Sequence, residues 1–424
     1  MEPIVPKKNG YDWSDISCPP NIDPHSVVKH EIICAYLKRY IGVLTQDPRV
    51  DTLRLNLIDG FAGGGRYLCT KSKNIIPGSP IRLMQTVIEE EAKIKCLRTK
   101  PFSIQASYYF SEIDKGAYLQ LQHALEEHQL DHVPRVNMFN QPFLNVLPNM
   151  ISDISSRTRK GNPRNIFLLD QYGYKDVPFA IISEIFRKYP KNTEVVLTFS
   201  TDALINYFSD NPNFSKSLER INLENLLKHP DLQNSVEISQ SRLLIEQILY
   251  EEIQSQCGAS FYTPFFIRSE ESNRSYWLIH LSSHPKARNE MLLTHWDYQN
   301  KCIHHGLPGL NMMLGFDPTM EALQKQDTFD FYFDESADDS VLDSLIKDIP
   351  KMLILDKHLS VQDLLFSTCN NSPATYGQYQ QALFKLQQSK DISILNSNNS
   401  IRRTSNSISL DDSIVLSPQQ KLFV

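Results

Sequence analysis

Residues 55–65 read LNLIDGFAGGG. Leu55, Asn56, Leu57 and Ile58 make a short, mostly apolar run, the length of a buried strand, and Asp59 and Gly60 end it. Gly60, Ala62, Gly63, Gly64 and Gly65 then crowd into six positions. A strand that breaks into glycines lets a ligand approach the backbone at the carboxyl end of an open α/β sheet. The spacing is not G-x-G-x-x-G. The next helix signal, Gly78-Ser79-Pro80, comes well after the glycines, whereas a dinucleotide fingerprint opens a helix directly.

Composition narrows the class. The chain has 424 residues, 41% of them hydrophobic and 22% charged, which suits a globular protein of two or three domains. Net charge is −6, so nucleic acid would have to be held by a local patch rather than by a global basic field. No apolar run has the length of a membrane span, and MEPIVPKKNGYDWSD at the start lacks the apolar core of a signal peptide. Seven cysteines (18, 34, 69, 96, 257, 302 and 369) are scattered without a C-x-x-C pair. That pattern points to reduced thiols in a cytoplasm and away from a zinc cage.

Proline and polar residues predict an extended arm over 1–25, and periodicity then predicts a helix from Ser26 to Leu44 striped with Ile33, Leu37, Ile41 and Leu44. Strands are expected at 53–58, 107–113, 135–140, 165–169 and 194–199. Helices separate them, over 79–95, 114–128, 142–156 and 177–187. Residues 66–76 read as an insertion, with Ser79 capping the helix that follows and Pro80 at its first position. A polar, mostly helical insertion is expected at about 200–260, and residues 265–283 carry a hairpin signature. Alternating strands and helices closed by a hairpin imply a doubly covered, mostly parallel sheet with one antiparallel strand. Residues 331–424 differ in character. Three short helical patterns and two strand-like runs, DISIL (391–395) and SIVLS (413–417), resemble a winged helix. The expected division is therefore an arm (1–25), an α/β domain (26–330) and a winged-helix-like domain (331–424).

Asp59, Gly60, Ala62, Gly63 and Gly65 resemble motif I of the S-adenosylmethionine (SAM)-dependent methyltransferases. Backbone amides of such a turn can hold the cofactor's carboxylate, and the Asp can accept from its ammonium group. Glu112, at the end of the second strand, is in the position to accept both ribose hydroxyls, with Asp114 as the alternative. Asn140 and Gln141, after the third strand, could read the adenine edge. Asp170-Gln171-Tyr172-Gly173 follows the fourth strand. Amino-methyltransferases acting on bases carry Asp/Asn-Pro-Pro-Tyr/Phe there, the acid accepting from the target amine and the ring stacking on the flipped base. Asp170 and Tyr172 keep the acid and the ring, while Gln171 replaces the proline that would have fixed the turn. His280, His284, His295, His304 and His305 show no paired ligand spacing, so no metal is expected. Arg157, Arg159, Lys160 and Arg164 lie at the amino end of the fourth strand, opposite the expected active face. Arg402 and Arg403 fall in the wing, where a phosphate contact would be natural.

Four stretches in order resemble one family, the three-Cys-motif partner proteins (TcmP): KHEIICAYLKRY (29–40), IDGFAGGGRY with PGSPIRL (58–67 and 77–83), LLDQYGY (168–174) and YWLIHLSSHPKARNEMLLTHW (276–296). The resemblance covers residues 25–300 and implies a bacterial, class I methyltransferase-like (Rossmann-like) fold of seven strands. It also implies a three-Cys-motif protein as partner. The family usually reads Asp-Pro-Phe/Tyr-Gly where this chain has Gln171, which puts the role of Asp170 in question. The leading expectation is a SAM-dependent methyltransferase acting on nucleic acid with that partner. The alternative is a non-methylating accessory subunit that binds SAM or nucleic acid.

Overall fold

A computed structural model describes residues 11–15, 18–69, 72–158, 163–206, 212–230, 242–268, 275–298, 303–305, 309–310, 330–332, 335–355 and 359–417. The chain divides into two compact units. One comprises residues 1–238 and 251–290, the other 239–250 and 291–424. The division therefore falls at residue 290 rather than 330, and it gives the second unit part of the helix Arg242–Gln256.

Seven strands form the sheet of the first unit: β1 (Thr52–Asp59), β2 (Ser103–Ser111), β3 (Val136–Phe139), β4 (Arg164–Leu169), β5 (Thr193–Phe199), β6 (Phe261–Arg268) and β7 (Ser275–Ser282). Their spatial order is β3-β2-β1-β4-β5-β7-β6. The pairs from β3 through β5 are parallel, and β7 runs antiparallel to both β5 and β6. This is the strand order of the class I methyltransferase fold. Both faces are covered, which is why β1 reads as an apolar run: Leu55, Leu57 and Ile58 are buried. Its one interior amide, Asn56, donates to Asn165 Oδ1 of β4 at 2.8 Å, so the polar pair is satisfied within the core.

The helices are α1 (Pro24–Leu44), α2 (Ser79–Leu97), α3 (Lys115–Glu127), α4 (Phe143–Thr158) and α5 (Phe179–Lys188). On α1, Ile33, Tyr36, Leu37, Tyr40 and Ile41 are buried, in keeping with the apolar stripe. The Tyr36 hydroxyl donates to Glu194, and His280 Nε2 lies 3.0 Å from the same carboxylate. A buried polar network thus ties α1 to β5 and β7. Ser79 does not cap α2. Gly78 is the N-cap, and the Ser79 hydroxyl donates to Asp59 Oδ2 at 2.7 Å instead. Strand β2 begins at Ser103, four residues earlier than its pattern implied, because Ile104 adds a buried position beside β1.

The insertion after β1 is a small antiparallel hairpin, Arg66–Cys69 with Ile75–Pro77, joined by Asn21–Ile22 of the arm. Helices Thr201–Asn206, Pro212–Ile221 and Arg242–Gln256 fill the second insertion. The turn of the β6–β7 hairpin, residues 269–274, lies outside the described residues, as do Arg159 and Lys160.

In the second unit α6 (Glu335–Leu355), α7 (Val361–Thr368) and α8 (Tyr376–Gln388) precede the ribbon β8 (Ile392–Leu395) and β9 (Ser413–Leu416). Leu359–Ser360 adds a short antiparallel strand to β9. Ser360 with Asp363, and Thr375 with Gln378, form capping boxes that start α7 and α8. Tyr379, Leu383 and Leu386 of α8 are buried, together with Ile394 and Ile414 of the ribbon. Three helices and a ribbon of this order are a winged helix.

Candidate functional site

The order of the strands reverses between β1 and β4, so the carboxyl ends of these two neighbours flank the crevice where open α/β sheets bind ligands. Asp59 and Asp170 stand at those two ends.

The glycine-rich turn is fastened from within. Asp59 is fully buried, and its carboxyl accepts from Ser79 Oγ and from the Phe61 amide at 3.1 Å. Burial drives its pKa up to about 7, outweighing those bonds, and Asp170 and Glu112 nearby push the same way. The Gly60 amide donates to Leu168 O (2.9 Å), Ala62 to Ser111 O (3.0 Å) and Gly63 to Glu112 Oε2 (2.8 Å). Successive amides expected to be open donors for a carboxylate are therefore engaged by the protein itself. Gly63 and Gly65 have φ of 62° and 71°, in the region that favours glycine. A Cβ on Gly64 would meet the Trp13 ring at 2.2 Å. The arm is thus not simply extended. Trp13 packs with Ile22, Tyr67 and Ala117, and Gln120 Nε2 donates to its carbonyl at 3.1 Å.

Glu112 follows β2 directly. Its Oε1 accepts from the Asp114 amide at 2.7 Å while Oε2 holds Gly63. The Ile113 amide also acts on the carboxylate, and a carboxylate, with about four lone-pair sites, keeps room for a further donor. Burial raises its pKa above the usual carboxylate range. Asp114 is the N-cap of α3, accepting from the Ala117 amide. Asn140 Nδ2 donates to Glu112 O and Ile113 O at 2.9 and 3.2 Å, and its amide oxygen has no partner among the described residues. Gln141 has an exposed side chain, and its carbonyl accepts from Ser111 Oγ.

After β4, the Asp170 carboxylate is not open to an acceptor amine. Lys29 Nζ of α1 lies 2.5 Å from its Oδ1, and the two side chains are 8% and 17% exposed. Burial alone would raise Asp170, but the Lys29 charge and hydrogen bond prevail and hold it below the usual range. Gln171 does by hydrogen bonding what proline would do covalently: its Oε1 accepts from the amides of Asp176 (2.9 Å) and Val177 (3.2 Å). Tyr172 is 61% exposed.

Residues absent from the sequence reading complete the group. His25 stacks on Tyr276 of β7, with ring centroids 4.9 Å apart and planes 11° from parallel. His30 is buried, which drives its pKa down to about 3, with Lys29 adding to the shift. The segment KHEIICAY carried the resemblance, and that was the only signal for Lys29 and His30. Other candidates have local roles. Arg157 pairs with Asp153, Arg164 bonds to Lys191 O and Asn192, and Arg402 is bidentate to Asp412. His280 serves Glu194, and the side chains of His304 and His305 lie outside the described residues. Among the described residues no group of three or more His, Cys, Asp or Glu is arranged to hold a metal, and no helix is long and apolar enough to cross a membrane.

A GMT-like wHTH domain matches residues 315–399. No curated protein matches the chain. Among solved structures, the O-methyltransferase TomG from Streptomyces achromogenes, in complex with SAM, is similar at 12% identity over 58% of this chain and 80% of that one, with a TM-score of 0.27. An O-methyltransferase from Bacillus cereus with SAH is similar at 11% identity over 58% and 80%, with a TM-score of 0.27. Cofactor-bound Rv0187 from MTB is similar at 12% identity over 62% and 91%, with a TM-score of 0.28. The chain's own strand order, rather than these likenesses, defines its class: a methyltransferase-like α/β fold with a winged helix.

Proposed function

We propose that the chain is a SAM-dependent methyltransferase. The observation that carries the reading is the joining of Gly63 to Glu112 across the carboxyl ends of β1 and β2. It sets a carboxylate with spare acceptor capacity beside a glycine turn at the place where the fold takes ligands. The residues present fit the cofactor. Glu112 would accept the ribose hydroxyls, the exposed Ile113 would pack on the adenine face, and the Asn140 amide oxygen or Gln141 would meet its amino group. The turn from Asp59 to Gly65 would form the floor, with Asp59 shaping it from beneath. When bound, SAM supplies an electrophilic methyl group. Transfer is a single in-line displacement, so the protein's share is orientation and exclusion of water. Asp170 and Tyr172 stand on the acceptor side.

Nucleic acid is the substrate class we favour. The winged helix offers a module for it, with Lys385 and Lys390 on or beside α8 and Arg403 in the wing, all exposed. Membership of the TcmP family, with a three-Cys-motif protein as partner in a bacterial cytoplasm, belongs to the same reading and rests on the four sequence stretches. The test is transfer of labelled methyl from SAM to RNA and DNA, with and without the partner. Incorporation lost in Glu112→Ala supports the enzyme. SAM binding without incorporation into any nucleic acid favours the accessory-subunit reading, to which the closed Lys29–Asp170 pair lends weight.

A further inference from the structure

Resting on the methyltransferase reading, we propose that the methyl acceptor is a hydroxyl oxygen rather than an exocyclic amine, and that Lys29, paired with Asp170 at the carboxyl end of β4, donates a hydrogen bond to that oxygen.

The inference starts from the ion pair. An amine that attacks a methyl group gains positive charge on nitrogen, and a free carboxylate or carbonyl beside it favours that change. Here the carboxylate already holds an ammonium at 2.5 Å, and a fixed cation beside a nitrogen becoming positive opposes the reaction. Oxygen has the opposite need. A hydroxyl attacks as it sheds its proton, and the negative charge that develops is stabilised by a nearby ammonium. Lysine has three N–H donors. One goes to Asp170, and the other two, which have no partner among the described residues, could serve an acceptor oxygen.

The same helix turn offers a place for the proton. His25 precedes Lys29 by one turn of α1, and Asp23, Lys29 and Asp170 all act on its charge. Burial first, and then Lys29, lower its pKa, which favours the neutral ring. Its Nδ1 is buried and has no hydrogen-bond partner among the described residues. The side chain as a whole is only half-buried, held flat against Tyr276. His30 is buried, at 5% exposure. In the balanced step, the hydroxyl proton passes to Nε2 of the His25 imidazole, Nδ1 being enclosed, and a carbon–oxygen bond forms to the methyl group. The carbon–sulfur bond breaks with its electron pair going to sulfur, and the imidazolium later releases the proton to water. On a nucleic acid the acceptor would be a ribose hydroxyl of RNA.

The full-length protein is titrated calorimetrically with S-adenosylhomocysteine and with sinefungin, which carries an ammonium group on the side where the methyl group leaves. A cation at Lys29 opposes that ammonium. Wild-type protein should bind S-adenosylhomocysteine at least about tenfold more tightly than sinefungin. Lys29→Met should abolish or reverse the preference by exposing Asp170, and Lys29→Arg should keep it. Thermal unfolding of each variant checks folding. If Lys29→Met does not fold, the wild-type and Lys29→Arg ratios decide alone. Equal or tighter binding of sinefungin by the wild type overturns the proposal and leaves the cofactor site intact. An equal loss of both ligands in Lys29→Met also overturns it, since the cation would then serve a group common to both. Absence of S-adenosylhomocysteine binding overturns the methyltransferase reading itself.

Discussion

The amide of Gly63 donates to Glu112 Oε2 at 2.8 Å, joining two residues 49 positions apart across the carboxyl ends of β1 and β2. Glu112 therefore holds the turn, and on the proposed function it also accepts from the cofactor. Glu112→Ala should weaken S-adenosylhomocysteine binding by about 10- to 100-fold, as expected when a charged acceptor is lost. Calorimetry on folded protein checks this.

Asp59 gives the protein a pH signature. Its folded pKa of about 7 lies above that of an unfolded aspartate, so its protonated form is favoured in the native state. Its contribution is complete below about pH 4 and is lost as pH rises through 7, a change of a few kcal/mol in order of magnitude. Asp59→Asn keeps the shape and removes the charge. The variant should lose this slope and match or exceed the wild type at pH 8. Chemical denaturation at a series of pH values between 4 and 8 measures both chains.

Gln171 holds the amides of Asp176 and Val177. Gln171→Ala leaves those donors without their partner and should cost about 1–3 kcal/mol. Gln171→Pro should not restore the loss, because a ring at 171 cannot accept from either amide. Thermal melts of the two variants decide the point.

Gly64 lies under Trp13, and a methyl group there would sit 2.2 Å from the ring. Gly64→Ala should force the indole off the turn at a cost of about 1–3 kcal/mol. The emission of Trp13, which is 6% exposed, should shift to the red as it meets water. Trp13→Phe identifies its share of the signal.

In the wing, Arg402 and Arg403 have different surroundings. Arg402 is fixed by two 2.7 Å bonds to Asp412, whereas Arg403 is exposed. Arg403→Ala should weaken nucleic-acid binding and reduce its salt dependence without changing the melting temperature. Arg402→Ala should lower the melting temperature. Fluorescence anisotropy at two salt concentrations reads the first effect.

Much of the fold was legible because its signals are local. The apolar run of β1, the glycines after it and the stripes of α1 and α8 each lie within a short window. The Lys29–Asp170 pair was less legible. Lys29 sits on an amphipathic helix, where a lysine ordinarily faces water, and its partner Asp170 is 141 residues away. The arm was misread for a similar reason. Proline and polar residues mark it as extended, but Trp13 finds its surface only after the hairpin at 66–77 and α3 have come together. Ser79 looked like a cap because serine before proline commonly is one. The buried carboxyl of Asp59 claimed its hydroxyl instead.

The most direct test of the central claim is calorimetric titration of the full-length protein with SAM and with S-adenosylhomocysteine, with Glu112→Ala alongside. The account predicts one site per chain with micromolar affinity, lost or strongly weakened in the variant. A wild-type protein that binds neither ligand, while its melt shows it folded, would contradict it.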